Sequence, residues 1–540
     1  MSVGPTNDEA RVDESLSDKS LEKLSSGVSL IQVVDCVLNG DFFSQNQPCI
    51  GIECKGQEFL KSEAHLSEVV FNYEQVSANS LLVLSDDESK LAEPLFDKVV
   101  LNSSIGLVLT DSKEIADLAV KRKICTILLN DSCNDGIAPT RRALRAVAKL
   151  IRSQANIPVI GITGTSGKTT TKDLTVAALS ARCNVLGTLN NQNSVWAVTR
   201  TLLRLNSMHD AVVLEFGSRK KGHVNILSEM AQPTIAYVSS IGESHLETFG
   251  DFQQVYISET DVYRRVRDSE IDPKLFLVNL DDRHIRKFFR SNKKKLTSIG
   301  SVVTLSRNSV RGADVVGRSV QTYGDNKELK TKVYAETPWG NVEYLIPLAG
   351  RHNVTNSLAA LSLSMLTGKV SLEDVAVAFQ GAQISGNRSE IFRMPGGLTI
   401  LNDSYNANPL SMRAALDTLK RFKEEDESIS YVIAAVGDML ELGEGAPNYH
   451  YAVGAYAREC GVDELWATGE FANHWARGFN RKDSIRIFES TDELLAAILE
   501  ADNKSFLGEH SCILLKSSHG SGLYKVGAKL KRLKRGGLRA

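Results

Sequence analysis

The sequence predicts an α/β protein built in three parts, and three observations predict it. Short apolar runs recur along the chain and alternate with helix-like stretches. Several of these runs are apolar at consecutive positions, as expected of strands buried on both faces of a parallel sheet. One run, ending at Thr163, leads through a glycine-rich turn into a helix start, the arrangement that binds phosphate in such sheets.

The bulk properties limit the alternatives. A chain of 540 residues exceeds one hydrophobic core, so about two to four domains are expected. A net charge of −2 gives no general attraction to nucleic acid or an anionic membrane. No apolar stretch approaches the roughly 18–20 residues that span a bilayer, and the first residues lack the pattern of a secretory signal. The eight cysteines, at 36, 49, 54, 125, 133, 183, 460 and 512, form no CxxC pair and read as reduced thiols. A cytoplasmic protein with no nucleic-acid partner and no membrane span is the expectation.

In order along the chain, residues 1–26 are polar and free of aromatics, the composition of a disordered tail. Residues 27–156 carry the runs LLVLSD, GLVLTD and KICTILLND, each followed by a helix-like stretch, which suggests a small α/β domain expected to bind substrate. Residues 157–385 open with the glycine-rich turn and continue with DAVVLEFGS and TIAYVSSIG as buried strands. Residues 386–540 alternate LTILNDSY, ISYVIAAVGD, ELWATG and CILLKSS with helices such as PLSMRAALDTLKRF and DELLAAILEA, a second doubly wound domain. The basic end, KVGAKLKRLKRGGLRA, reads as a last helix with a solvated face.

The chemistry concentrates at the turn. Gly164, Thr165, Ser166, Gly167, Lys168, Thr169 and Thr170 place backbone N–H groups, a helix N-terminus and an ammonium where phosphate oxygens can converge. Lys168 suits the β/γ-phosphates of a nucleotide and the Thr169 hydroxyl suits Mg²⁺. The usual motif has a further glycine where this chain has Ile162. Glu215 ends one buried run and is placed to hold Mg²⁺, and His245 is delivered to the same edge by the next.

These residues sit in a longer series of blocks: TGTSGKTTTK, LNNQNS, LEFGS, IGESHLETFG, NLDD, GRHNVTNSLAA, NDSYNANPLSMRAAL and GDMLELGE. In that order they resemble the Mur ligases, the MurF type most of all, from about Ile157 to the C-terminus. The resemblance implies three domains, ATP and Mg²⁺, and transfer of the γ-phosphate to a substrate carboxylate. The resulting acyl phosphate is then attacked by the amine of an amino acid or dipeptide. It also implies roles for single residues. Lys168 and Thr169 would bind the triphosphate and its Mg²⁺, Glu215 one metal and His245 a second. Asn190 and Asn191 would lie near the γ-phosphate and substrate, and Asn353 would approach the adenine. Arg388, Asp403 and Tyr405 would close over the nucleotide from the C-terminal domain.

The chain departs from the family pattern at several places. Fourteen residues after His245 the family has a carbamylated lysine, and this chain has Glu259. Either Glu259 supplies that carboxylate to metal, or it is an exposed helical residue. The family's UDP-reading segment is matched by Phe71, Asn72, Tyr73 and Glu74, which puts an acid where an arginine would meet a diphosphate. Its K-G-S-R reads here as Lys516, Ser517, Ser518 and His519, leaving Lys516 to bind a substrate carboxylate or phosphate. Its N-N-x-I-G-x-P reads NNQNSVW. The changes fall on the substrate side, so a ligase with a non-standard acid is the leading expectation. A genuine peptidoglycan-precursor ligase and a nucleotide-binding scaffold without activity stay open.

Overall fold

The computed structural model describes residues 28–39, 50–55, 57–59, 66, 69–70, 80–84, 105–131, 139–323, 329–386, 388–503 and 508–536. The expected tail and the segment Phe71 to Glu74 lie outside the described residues. The chain divides into two compact units, Met1–Ala155 with Leu202–Ser207, and Asn156–Thr201 with Met208–Ala540.

The first unit contains a five-stranded sheet. Its order is β1 (Ile50–Lys55), β5 (Cys125–Asp131), β4 (Leu107–Thr110), β3 (Leu81–Leu84), β2 (Val69–Val70). Strand β1 runs antiparallel to β5, and the others are parallel. The six described cysteines of the chain are free thiols.

The second unit holds two sheets. The larger contains β6 (Val159–Thr163), β7 (Val185–Gly187), β8 (Ala211–Glu215), β9 (Ile235–Val238), β10 (Leu275–Asn279) and β11 (Ser301–Ser306). It continues with β12 (Val315–Tyr323), β13 (Leu329–Thr337) and β14 (Gly340–Ile346). The order is β14-β13-β12-β11-β10-β9-β6-β8-β7, parallel from β7 to β12 and closed by an antiparallel meander. Consecutive apolar runs do not reveal that meander, because β14 buries only some of its side chains and leaves the others in solvent.

Helix Arg351–Leu366 packs against this sheet and against helix Lys168–Leu179. It has little one-sided apolar character because nearly all of it is buried from Asn353 to Ser364. Its hydroxyls are tolerated there because Ser357, Ser362 and Ser364 donate to the carbonyls of Val354, Leu358 and Ala360.

The smaller sheet has the order β15 (Glu390–Arg393), β16 (Thr399–Asn402), β20 (Ser511–Lys516), β17 (Tyr431–Val436), β18 (Glu464–Thr468), β19 (Ile485–Phe488). All its pairings are parallel except β15 with β16. Helices Pro409–Glu425 and Thr491–Asn503 lie at the stretches expected, and helix Leu523–Gly536 ends the described chain. Asn408 caps the first of these by accepting from the Ser411 N–H, with Pro409 at the first helical position.

Candidate active site

Strand β6 lies between β8 and β9, so three adjacent strand ends deliver the glycine-rich turn, Glu215 and the segment after Val238 to one edge. That is where ligands bind in open parallel sheets. The turn is possible because Gly164 and Gly167 have φ of +125° and +88°. A Cβ on Gly164 would stand 2.3 Å from Ser239 Oγ, and one on Gly167 would stand 2.5 Å from Asn356 Oδ1.

Neighbouring groups clamp the turn. Thr165 N–H donates to the Ser240 carbonyl at 2.8 Å, and Ser166 N–H to Ser240 Oγ at 3.0 Å. The Ser239 and Ser240 hydroxyls both donate to the Ser166 carbonyl. Lys168 reaches across the turn to the Gly164 carbonyl. Thr169 and Thr170 are buried at the start of the helix.

Glu215 is 1% exposed. Asn193 Nδ2 donates to its Oε1 at 2.8 Å, while Oε2 has no hydrogen-bond partner among the described residues. A buried carboxylate oxygen left unpaired is costly, and a cation removes that cost. Among the described residues no three His, Cys, Asp or Glu side chains converge on a metal. Mg²⁺ is often held by one or two carboxylates with phosphates and waters, so Glu215 with the Thr169 hydroxyl is a donor set that fits it.

The structure answers one open alternative. Glu259 is not exposed: it is 1% exposed, on the stripe Val255, Glu259, Val262 and Val266 of helix Phe252–Asp268. Thr163 Oγ1, from the last residue of β6 before the turn, donates to its Oε2 at 2.6 Å. Burial pushes its carboxyl above the ordinary range, against the pull of Lys168, the Thr163 hydroxyl, the nearby Gly164 backbone and His245.

His245 has φ of +50°, and its Nδ1 pairs with Glu441 Oε2 from the loop after β17. Glu441, at φ +62°, also accepts from Glu247 N–H through its carbonyl at 3.3 Å. The hydrogen bond to His245 holds the Glu441 carboxyl below its usual range against burial, helped by the charges of His245 and Arg219. Two non-glycine residues in the left-handed region thus meet where the smaller sheet's loop touches the larger sheet's edge.

On the smaller sheet, the Arg388 guanidinium lies 4.5 Å over the Tyr405 ring, with its Nε buried and unpaired among the described residues. Burial pushes the Tyr405 hydroxyl up, Arg388 opposes that, and the Glu215 charge reaches it. Asp403 accepts from Ser389 N–H at 3.1 Å and pairs with Lys516.

Two placements differ from expectation. Lys516 is buried, and its ammonium donates to the Asp403 carboxylate and to the carbonyls of Asp403 and Asn406. All three N–H groups therefore go to protein acceptors and none is left for a substrate. Asn353 is also buried, donating to the Ala349 carbonyl and accepting from Asn356 Nδ2. Its neighbour Asn356, one turn on, is the residue that touches the phosphate turn at Gly167. Asn190 and Asn191 are exposed, with Asn190 at φ +48°.

Four partners of these residues, Asn193, Ser240, Asn356 and Glu441, were not singled out from sequence. Asn193, Asn356 and Glu441 sit inside the blocks LNNQNS, GRHNVTN and GDMLELGE, so block membership was the signal available. No described helix is long and apolar enough to cross a membrane.

Comparison with known proteins gives the family and the fold. The Mur ligase middle domain matches residues 162–364, and the Mur ligase glutamate ligase domain matches 387–519. The UDP-N-acetylmuramoyl-tripeptide–D-alanyl-D-alanine ligase of Escherichia coli is 30% identical over 334 residues, covering 62% of this chain and 69% of that one. Its counterpart from Bacillus subtilis is 29% identical over 390 residues, covering 72% and 79%. In fold, MurF of Acinetobacter baumannii superposes with a TM-score of 0.72 at 22% identity over 95% of this chain and 99% of that one. MurF of Thermotoga maritima in complex with ADP gives 0.64 at 18% identity, over 88% and 98%. Fold, phosphate turn and relatives together define an ATP-dependent, carbon–nitrogen bond-forming ligase. The chain belongs to the Mur ligase family.

Proposed function

We propose that this ligase joins a substrate carboxylate to the amine of an amino acid or dipeptide, as a cytoplasmic monomer using Mg²⁺, on an acid other than the relatives' UDP-linked tripeptide. The observation that carries the metal-dependent reading is Glu215, buried on the phosphate edge with one oxygen held by Asn193 and the other unpaired among the described residues.

In this reading Lys168 and the N–H groups of Gly164 to Thr170 hold the β/γ-phosphates. Glu215 and Thr169 would hold Mg²⁺, and His245 with Glu259 would serve a second. Bound Mg²⁺ supplies neutralisation of phosphate charge. The substrate carboxylate takes the γ-phosphoryl group and ADP leaves. The amine nitrogen then attacks the acyl carbon, loses a proton and expels phosphate, forming the amide. Asn190 and Asn191, with exposed side chains beside Glu215's partner Asn193, are assigned to orient the acid. Asn353 holds the helix that supports the turn, Arg388 and Tyr405 cover the nucleotide, and Asp403 with Lys516 orders their loop.

Glu259 takes the place of the family's carbamylated lysine, offering a carboxylate that needs no carbon dioxide. Turnover in bicarbonate-depleted buffer should therefore match that in ordinary buffer and be lost in both Glu259→Ala and Glu259→Gln. Full activity in Glu259→Gln would remove the metal role.

A second reading is the relatives' own reaction. The ligase of Buchnera aphidicola subsp. Baizongia pistaciae aligns over 455 residues, 83% of this chain and 92% of that one, which reaches well into the N-terminal part. Phosphate release with ATP, Mg²⁺, UDP-N-acetylmuramoyl-tripeptide and D-alanyl-D-alanine separates the two. Efficient turnover of that pair establishes the second reading. Turnover only with acids lacking UDP establishes the first, and no acid–amine-dependent release from any pair would sink both.

A further inference from the structure

One turn into the phosphate-loop helix stands a buried ion pair between sequence neighbours, Lys172 and Asp173, with side chains 3% and 8% exposed. Burying two charges is unfavourable unless their remaining donors and acceptors are satisfied. Here the partners that satisfy them lie on two other segments. Lys172 Nζ donates to the Thr188 carbonyl at 3.0 Å and the Asn190 carbonyl at 2.8 Å. Asp173 Oδ2 accepts from the Ser385 N–H at 2.7 Å.

Each segment leads to the site. Thr188 Oγ1 accepts the N–H of Glu215 at 3.1 Å. Asn190 is held in the left-handed region, and three residues later Asn193 bonds the Glu215 carboxylate and accepts Gly217 N–H through its carbonyl. On the other side, Ser385 directly precedes Gly386, at φ +79°, against which the Tyr405 ring packs. Arg388 N–H then bonds the Gly386 carbonyl, and Ser389 N–H bonds Asp403. Helix Lys168–Leu179 therefore grips the loop bearing Asn190 and Asn191 with one charge, and the approach to the smaller sheet with the other.

We infer that Lys172 and Asp173 are a positioning pair: they couple occupancy of the phosphate loop to the placement of the Asn190–Asn193 loop and of the linker at Ser385. Neither touches substrate in this role. Lys172 acts through backbone carbonyls and Asp173 through a backbone N–H. The kinetic arm of the test rests on the ligase reading above, and the exchange arm does not.

The test uses paired substitutions, so that no lone buried charge remains to unfold the chain. Lys172→Met with Asp173→Asn removes the grip on Thr188 and Asn190 but keeps an acceptor for Ser385. Lys172→Met with Asp173→Ala removes both. Hydrogen exchange is followed in the full chain with and without Mg·ADP, whose binding is measured by calorimetry. In the native protein Mg·ADP should protect the amides of Thr188 to Asn193 and of Ser385. The first variant should bind Mg·ADP as the native protein does, lose nucleotide-induced protection at Thr188 to Asn193, and keep it at Ser385. The second should lose it at both. If the native chain turns over UDP-N-acetylmuramoyl-tripeptide with D-alanyl-D-alanine, the first variant should raise KM for that acid about tenfold while KM for ATP is unchanged. The inference is overturned by no nucleotide-induced protection in the native chain, by native protection at Thr188 to Asn193 in the first variant, or by loss of Mg·ADP binding in step with protection. A native chain that does not turn over that pair counts against the second functional reading alone, and the exchange result then decides the inference.

Discussion

The edge of the larger sheet and the Asp403 cluster of the smaller sheet hold the same kinds of residue in opposite states. At the first, Glu215 keeps a buried oxygen unpaired among the described residues, and Asn190 and Asn191 are exposed. At the second, Asp403 and Lys516 satisfy each other, and the remaining ammonium donors go to carbonyls of the same loop. A motif lysine or aspartate thus says that a charge is needed locally, without saying whether a ligand or the protein's own backbone receives it. In the proposed reading the unpaired set binds ligand, and the paired set holds Arg388 and Tyr405 in place.

The strongest way to break this comparison is Glu215→Gln. Removing the charge while keeping the shape should cut kcat by about 100-fold or more in the presence of Mg²⁺, measured by phosphate release. The hydrogen bond from Asn193 can persist, so the melting temperature should hold or rise. Near-native turnover would show that the free oxygen is not a metal ligand.

Lys516→Met should have the reverse profile. Leaving the Asp403 carboxylate without its partner should destabilise the fold by roughly 3 kcal/mol in urea unfolding. Adding Asp403→Asn should return much of that. Unchanged stability with a raised KM for the acid would instead restore Lys516 as a substrate-binding group.

The smallest effect concerns pH. His352 lies beside the Asp403 cluster, 3.3 Å from Ser389 Oγ, and burial lowers its pKa to about 4, with Asp403 and Asp417 opposing and Lys516 and Arg307 assisting. Its unfolded value is about 6.5. The neutral ring's stabilisation is therefore fully present above about pH 6.5 and is lost progressively as pH falls toward 4. His352→Gln should flatten the melting temperature over that window, and an unchanged slope would assign the acid sensitivity elsewhere.

Much of the nucleotide edge was legible in sequence because its parts are local. A buried strand, two glycines and a lysine at a helix start are neighbours in the chain, and their chemistry follows from that adjacency. Glu259 was half legible. Its spacing from Val255, Val262 and Val266 places it on the apolar stripe, yet only the fold shows that Thr163, at the end of β6, receives it. The pairing of His245 with Glu441, 196 positions apart, had no local sign at all.

By itself the sequence determined the α/β class, the phosphate turn from Gly164 to Thr170, and the strand ends carrying Glu215 and His245. Periodicity and glycine placement act over a few residues and do not depend on what packs nearby. The tertiary structure alone decided which charges remain open. A carboxylate or ammonium becomes available or occupied through partners brought from distant strands, as Asn193 is to Glu215 and Asp403 is to Lys516. The cost of burying a charge is met by those partners, which is why the same residue types stay open at one edge and are paired at the other.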